Sequence, residues 1–328
     1  MIERRHFIAL LGGAAVSWPV AARSQQAMPV VGYLHASGSD DRVHLVEAFR
    51  KGLAEAGYVE GRNVTVEYLW ANNDPKRLAE LAADLARRRV AVIVTPIGTA
   101  SAVAAKAATS TIPIVFSVGV DVVKAGLVES YNRPGGNLTG VGGMVSELGS
   151  KRVELLMELR PQAKRVALLA NPNNPLAMEA NVRDIRSFIA GRGIEFNIVH
   201  ASNGRELNAA YATIVQQKTD GLIIGPDPLV GTHRTLLAML SARHALPTVY
   251  PLRDFATAGG LISYGPDDAA RYRLVGTYAG RVLKGEKPAL MPVQQPTAFQ
   301  LVINMQTARV LEIDVPATLL ARADEVID

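Results

Sequence analysis

No cysteine occurs anywhere in the 328 residues, which excludes a disulfide, a thiolate metal site and a cysteine nucleophile. An exported chain of this kind must hold itself by core burial, and its length allows a core in each of two domains. His6, His35, His44, His200, His233 and His244 show no His-x-x-x-His or glutamate-paired spacing, so they read as turn and surface histidines, not as a metal set. Gly12-Gly13 and Gly135-Gly136 lack the G-x-G-x-x-G turn between strand and helix that a dinucleotide requires, and no G-x-S-x-G elbow is present. Asp267-Asp268 and Glu325 with Asp328 read as helix-start and tail charges, not as an acid–base dyad. These absences argue against an enzyme and against any cofactor.

Excess charge is also missing. The chain carries 35 basic and 30 acidic residues. Removing Arg4, Arg5, Arg23 and Glu3 with the N-terminal segment leaves a net charge of +3, too balanced for a nucleic-acid partner. Nothing N-terminal to Val30 forms a helix-turn-helix. No fixed short period recurs, so the chain is not a solenoid. Aromatic residues make up only 5% of the sequence, while small aliphatics abound. That composition suits parallel strands covered by alanine-rich helices.

The first 24 residues read as an export signal. Arg4-Arg5 precedes Phe7-Ile8 and a short apolar run to Trp18, too short to span a bilayer comfortably. Ala22 and Ser24 stand at the −3 and −1 positions of a cleavage site before Gln25, and Arg23 favours twin-arginine export over general secretion. An ordinary basic N-terminus or a general secretion signal is the plainer alternative.

The rest alternates strand and helix. Val30–Leu34, Val64–Leu69, Val90–Val94 and Ile112–Phe116 are strand-like, and Val90–Val94 is a continuous apolar run typical of a strand covered on both faces. Helices are expected between them, with Asp74-Pro75 as one start and Gly57 as one stop. Asp121 is read as opening a fourth helix that ends at Arg133-Pro134-Gly135-Gly136, before a short strand Leu138–Val141. The pattern restarts at Glu147, with strands at Val166–Ala170, Phe196–Val199, Leu222–Ile224 and Thr248–Tyr250. The tail adds a strand around Gly259–Gly265, a helix over Asp268–Leu283, a strand Phe299–Asn304 and a helix Pro316–Ala323. The expected organisation is α/β: a signal at 1–24, an N-terminal α/β lobe at 25–144, a C-terminal α/β lobe at 145–258, and a segment 259–328 that crosses back to complete both.

An ordered set of short motifs then points to a family. They are Gly57-Tyr58-Val59-Glu60-Gly61, Trp70-Ala71, Asn137-Leu138-Thr139-Gly140, Gly259-Gly260-Leu261-Ile262-Ser263-Tyr264-Gly265, Pro292-Val293-Gln294-Gln295-Pro296-Thr297 and Leu320-Ala321-Arg322-Ala323-Asp324-Glu325-Val326-Ile327. Together they strongly resemble the ABC-transporter substrate-binding proteins of the tryptophan-binding-like family, over nearly all of the chain after the signal. The resemblance implies a type I periplasmic-binding-protein fold, with two Rossmann-like doubly wound lobes and a hinge of three crossings. It also implies a periplasmic monomer that holds a small solute, such as an amino acid or related carboxylate, and serves an ABC permease and ATPase. A ligand sensor for a membrane receptor, or an enzyme on the same fold, is the alternative. Val122 departs from the family pattern, in which proline commonly follows the aspartate at Asp121.

In such a fold the solute meets loops at strand carboxyl ends. Candidates in the first lobe are Ser37, Gly98, Thr99 and Asp121, with Gly98-Thr99 at a helix start that favours a carboxylate. Plain capping explains Thr99 and Asp121 as well, and Ser37 is equally a turn former. Asn137 and Thr139, beside a supposed crossing, are read as lining the cleft in preference to turn chemistry. In the second lobe, Asn171 lies in a loop after a strand, and Asp227, between two prolines, is placed to meet an ammonium, with an Asx-turn as the alternative. Tyr250 and Tyr264 offer a ring face for a side chain, or are core residues.

Overall fold

The computed structural model describes residues 28–38, 43–143 and 145–328; the segment read as an export signal lies outside them. Two separate sheets organise the chain. The first contains β1 (Val30–His35), β2 (Thr65–Trp70), β3 (Val92–Thr95), β4 (Ile114–Val118) and β5 (Leu138–Gly142), in the order β2-β1-β3-β4-β5 and parallel throughout. The helices α1 (Val43–Glu55), α2 (Pro75–Arg87) and α3 (Thr99–Ala108) connect its strands. Each of the four residues of β3 is buried, which accounts for its unbroken apolar sequence. Asp74 caps α2 by accepting from the amides of Lys76 and Arg77, with Pro75 supplying the preset first turn.

The second sheet repeats the same winding. It is entered through α4 (Gly149–Leu159) and built from β6 (Arg165–Ala170), α5 (Pro175–Ile189), β7 (Glu195–His200), α6 (Glu206–Gln216) and β8 (Gly221–Ile224). The helices α7 (Pro228–Thr232) and α8 (Arg234–Arg243), β9 (Thr248–Tyr250), α9 (Arg253–Thr257) and β10 (Ile262–Pro266) follow. The strands run β7-β6-β8-β9-β10, and β11 (Phe299–Asn304) and β12 (Glu325–Ile327) extend that edge. Among the described residues only β10 and β11 pair antiparallel. Two doubly wound lobes of one topology therefore face each other, the α/β architecture that the resemblance implies.

Residues after β10 divide between the lobes. The helix α10 (Asp268–Leu283) returns to the first, where Tyr272, Val275, Tyr278 and Val282 join the core of Tyr33, Phe49, Leu53 and Val92. It lies unusually close to α1: a Cβ on Gly52 would stand 1.8 Å from the Arg273 carbonyl oxygen, and one on Gly276 would stand 2.1 Å from that of Phe49. Glycine at both positions is what permits the contact. The chain then runs beside β5, where Gln294 exchanges backbone hydrogen bonds with Gly140 and Gly142, before crossing to β11. The last two helices, α11 (Met305–Val310) and α12 (Ala317–Leu320), pack on the second lobe.

Local readings needed correction where a hydrogen-bonded turn outcompeted a helix. After Asp121 there is only one helical turn, with the amide of Ala125 donating to the Asp121 carbonyl, and Gly126 at φ +65° ends it. The expected helix at Pro316–Ala323 is likewise a single turn, α12. The short elements α7, α9, α11 and β12 were too brief to show a period.

Burial in the second lobe sets an alkaline limit. Tyr211 and Tyr250 both hydrogen-bond Ser241 Oγ at 2.8 Å in the core, and desolvation pushes both phenols above their usual range. A folded pKa raised above the unfolded value gives stability that is intact below about pH 10 and is lost as pH rises further. Melting temperature should therefore hold to about pH 10 and fall above it. Tyr250→Phe should remove one proton's share of the slope, about 1.4 kcal/mol per pH unit. An unchanged slope in Tyr250→Phe, measured by calorimetry, would rule this out.

Candidate functional site

In sheets of this winding the ligand crevice lies outside the strand carboxyl ends, where the strand order reverses. That point falls between β1 and β3 in the first lobe and between β6 and β8 in the second. The two points face each other across one cleft, which holds about 830 Å³ of space between protein atoms, part of it open to solvent. The first lobe contributes Ile97, Gly98, Thr99, Gly119 and Val120 from the ends of β3 and β4, with Leu45 of α1 and Asp268 and Arg271 of α10. From the second come Asn174, Ala177, Pro226, Asp227, Pro228, Arg234, Leu252, Asp254 and Phe255, and Val145 and Ser146 line it from the first crossing. The lobes meet at the rim. Asn73 Nδ2 donates to Thr232 Oγ1 at 3.3 Å, and His44 lies 3.6 Å from Asp254.

Gly98 and Thr99 lie on the wall as the start of α3. Gly98 has φ +100°, a conformation that glycine adopts without strain, and a Cβ there would stand 3.4 Å from the Pro228 ring across the cleft. The first-turn amides of α3 face this space, an arrangement that favours an anion. Opposite stands Asp227, the cap of α7. Its Oδ1 accepts from the amide of Leu229 at 2.9 Å and from Asn171 Nδ2 at 3.0 Å, and its Oδ2 accepts from Asn174 Nδ2 at 2.8 Å. A carboxylate oxygen accepts two hydrogen bonds, so Oδ2 keeps a lone pair for a further donor. Asn171 thus reaches the site indirectly, by holding Asp227 from behind.

The other expected residues stand elsewhere, each for a local reason. Ser37 is fully buried, its amide and hydroxyl both on His35 Nδ1. Asp121 caps its own turn through Val123 and Lys124 and faces a separate groove with Glu147 and Arg183. Asn137 sits at the opposite end of β5 from the cleft, where its amide group ties the carbonyls of Thr109 and Ile112. Thr139 is buried within β5 and donates to the Met291 carbonyl. Tyr250 is a core residue stacked at 5.1 Å on Phe255, and it is Phe255 that lines the cleft. Tyr264 stacks on Phe299 in the second sheet. Sequence reading missed Arg271, Asp254, Arg234 and Asn174. Of these, Arg234 and Arg271 left the same faint signal, a cation in the first turn of a helix, against the macrodipole.

A buried guanidinium sits behind the first crossing. Arg152 of α4 donates from Nε to the Tyr264 carbonyl at 3.0 Å and from Nη2 to the Val145 carbonyl at 3.3 Å, tying the first crossing to the strand that leads into the second. Burial pushes its pKa down to about 10. The charged form is thus disfavoured by its surroundings, and the residue serves geometry more than stability.

The model of the family described as ABC transporter substrate binding protein matches residues 35–327, and the chain belongs to that family. A tyrosine-binding protein of Clostridioides difficile is 27% identical over 267 residues, covering 81% of this chain and 76% of the relative. A conserved domain protein from Vibrio cholerae O1 biovar El Tor has a solved structure with TM-score 0.83 and 26% identity, covering 91% of this chain and 99% of that one. A Streptococcus pneumoniae domain solved with L-Trp also gives TM-score 0.83, at 24% identity and the same coverage.

Proposed function

We propose that this chain receives a small molecule, an amino acid (aromatic ones included) or related carboxylate, in the interlobe cleft, closes on it by hinge motion, and hands it outside the cytoplasm to an ABC permease that works with an ATPase. The observation that carries the reading is the opposition of charges across the cleft: the start of α3 on one lobe and Asp227 on the other. A carboxylate suits the first and an ammonium suits the second. The tyrosine-binding relative supports an amino acid as the solute class.

Closure follows from differential contact. A solute touching both walls stabilises the closed arrangement and gains less in the open one, so it shifts the population toward closure. The direct rim contacts are too exposed to do this unaided, since pairs of that kind contribute about 0–1 kcal/mol. The permease then has a ligand-dependent shape to read.

Thermal shift across amino acids and small carboxylates, with small-angle scattering on each hit, tests this. A solute at a hundredfold excess over its dissociation constant should stabilise the protein by about 2.7 kcal/mol and lower its radius of gyration. A hit that raises the melting temperature without compaction would remove hinge closure. Absence of any hit among amino acids and carboxylates would remove the solute class.

A further inference from the structure

The first-lobe wall holds a cation where the fold disfavours one. Arg271 lies in the first turn of α10, at the positive end of the helix macrodipole, yet it is only 4% exposed. Its fork is partly engaged. Nη1 donates to Asp268 Oδ1 at 2.9 Å and Nη2 donates to Ser117 Oγ at 2.6 Å. Nε is buried and has no acceptor. A guanidinium has five N–H donors, so most of this one's capacity is unspent, and a buried charged donor without a partner is costly.

Position sets where a further acceptor would come from. Ser117 stands near the end of β4, beside β3 in register Thr95 with Phe116, and β3 runs directly into Gly98-Thr99. The Ser117 contact therefore sets the guanidinium over the same strand ends as the start of α3, and Arg271 and Thr99 both line the cleft. Asp227 faces them from the other lobe.

We infer that Arg271 is a specificity-determining residue of this cleft, receiving an anionic oxygen of the solute so that a carboxylate is taken and its uncharged carboxamide refused. The inference rests on the reading of the cleft as the solute site. It adds an orientation: the acid end of the solute lies against the first lobe, and any amine lies against Asp227 on the second. Backbone amides at α3 donate equally to a carboxylate or a carboxamide oxygen, so they do not separate the two. A charged fork does, because its hydrogen bonds to a carboxylate are charge-assisted and those to an amide oxygen are not. Asp268 and Ser117 act as positioning residues that hold the fork in place.

The test uses three pairs of probes on the full protein: L-tyrosine with L-tyrosinamide, L-tryptophan with L-tryptophanamide, and benzoate with benzamide. Calorimetric affinities are measured for wild type, Arg271→Gln and Arg271→Lys, with circular dichroism to confirm folding. Wild type should prefer the acid of at least one pair by roughly 100-fold, and Arg271→Gln should bring that preference below about tenfold by weakening the acid alone. Arg271→Lys keeps the charge without the fork and should fall between, which covers the case of Arg271→Gln failing to fold. An acid bound equally by wild type and the folded variants overturns the role of Arg271 and leaves the cleft as the solute site. Wild type binding acid and amide alike does the same. No binding of any probe by wild type overturns this inference together with the amino-acid reading of the cleft.

Discussion

Asp227→Asn should lower affinity for any amino acid the protein binds by roughly 10- to 100-fold, the loss of one charge-assisted hydrogen bond worth about 1.5–3 kcal/mol. The asparagine side chain keeps an oxygen for Leu229 and Asn171 but loses the charge, and its NH2 meets Asn174, whose amide turns over to present its oxygen, so α7 should remain capped. Melting temperature without ligand should change little. Asp227→Ala should lose the cap as well, a further cost of about 1 kcal/mol to stability, and it leaves Asn171 and Asn174 without their shared acceptor. Solutes lacking an amine discriminate best: benzoate should bind Asp227→Asn at least as well as wild type, because a like charge has left the cleft. Titration calorimetry of L-tyrosine and benzoate against both proteins decides the matter. Equal affinity of wild type and Asp227→Asn for L-tyrosine would remove Asp227 as the ammonium partner.

Gly276→Val should have the largest effect on folding. The added side chain would start 2.1 Å from the Phe49 carbonyl oxygen, a backbone atom of α1 that cannot rotate away. Either α10 lifts off α1, exposing the core of Phe49, Leu53 and Tyr272, or both helices shift. Overpacking against backbone of this kind costs about 3 kcal/mol or more, which for a chain of this size is a fall of roughly 5 °C or more in melting temperature. Because α10 also carries Asp268 and Arg271 to the cleft, ligand binding should weaken in the same variant. Gly136→Ala is the control: nothing lies within 4 Å of its added Cβ, and stability should move by no more than about 0.5 kcal/mol. If Gly276→Val melted like wild type, the close approach of α1 and α10 would not be what holds the first lobe.

Much of the fold is legible in the chain because its signals are local. The unbroken run at Val90–Val94 announces a strand covered on both faces, and β3 is buried throughout. The helix expected over Asp268–Leu283 is found with those bounds, its capping aspartate before it and Gly285 after it at φ +98°. Strand and helix periods repeat within a few residues, so a single sequence displays them. Single turns escape for the same reason: the run after Asp121 is apolar enough for a helix and has a capping carboxylate to start it, yet Gly126 closes it after one turn.

The site divides along the same line. Asp227 and Gly98-Thr99 were visible because a strand's end followed by a helix start is itself a local pattern, and the strand ends are where such a fold opens its crevice. Asn137 and Thr139 were misread because nothing local tells which end of β5 faces the other lobe; Asn137 ties a turn at the far end, and Thr139 is held by a segment more than a hundred residues later. Tyr250 stacks behind Phe255, and only packing distinguishes the residue that shows its ring to the cleft from the one that supports it. Arg271 stands out locally only as a cation in a helix's first turn; its place in the cleft belongs to the tertiary structure, since it is distant in sequence from Ser117 and Thr99 and joins them because the chain crosses back from the second sheet to cover the first. Local periodicity and capping set the elements and their ends, while the long-range return of α10, driven by burial of its apolar face, decides which charges the cleft presents.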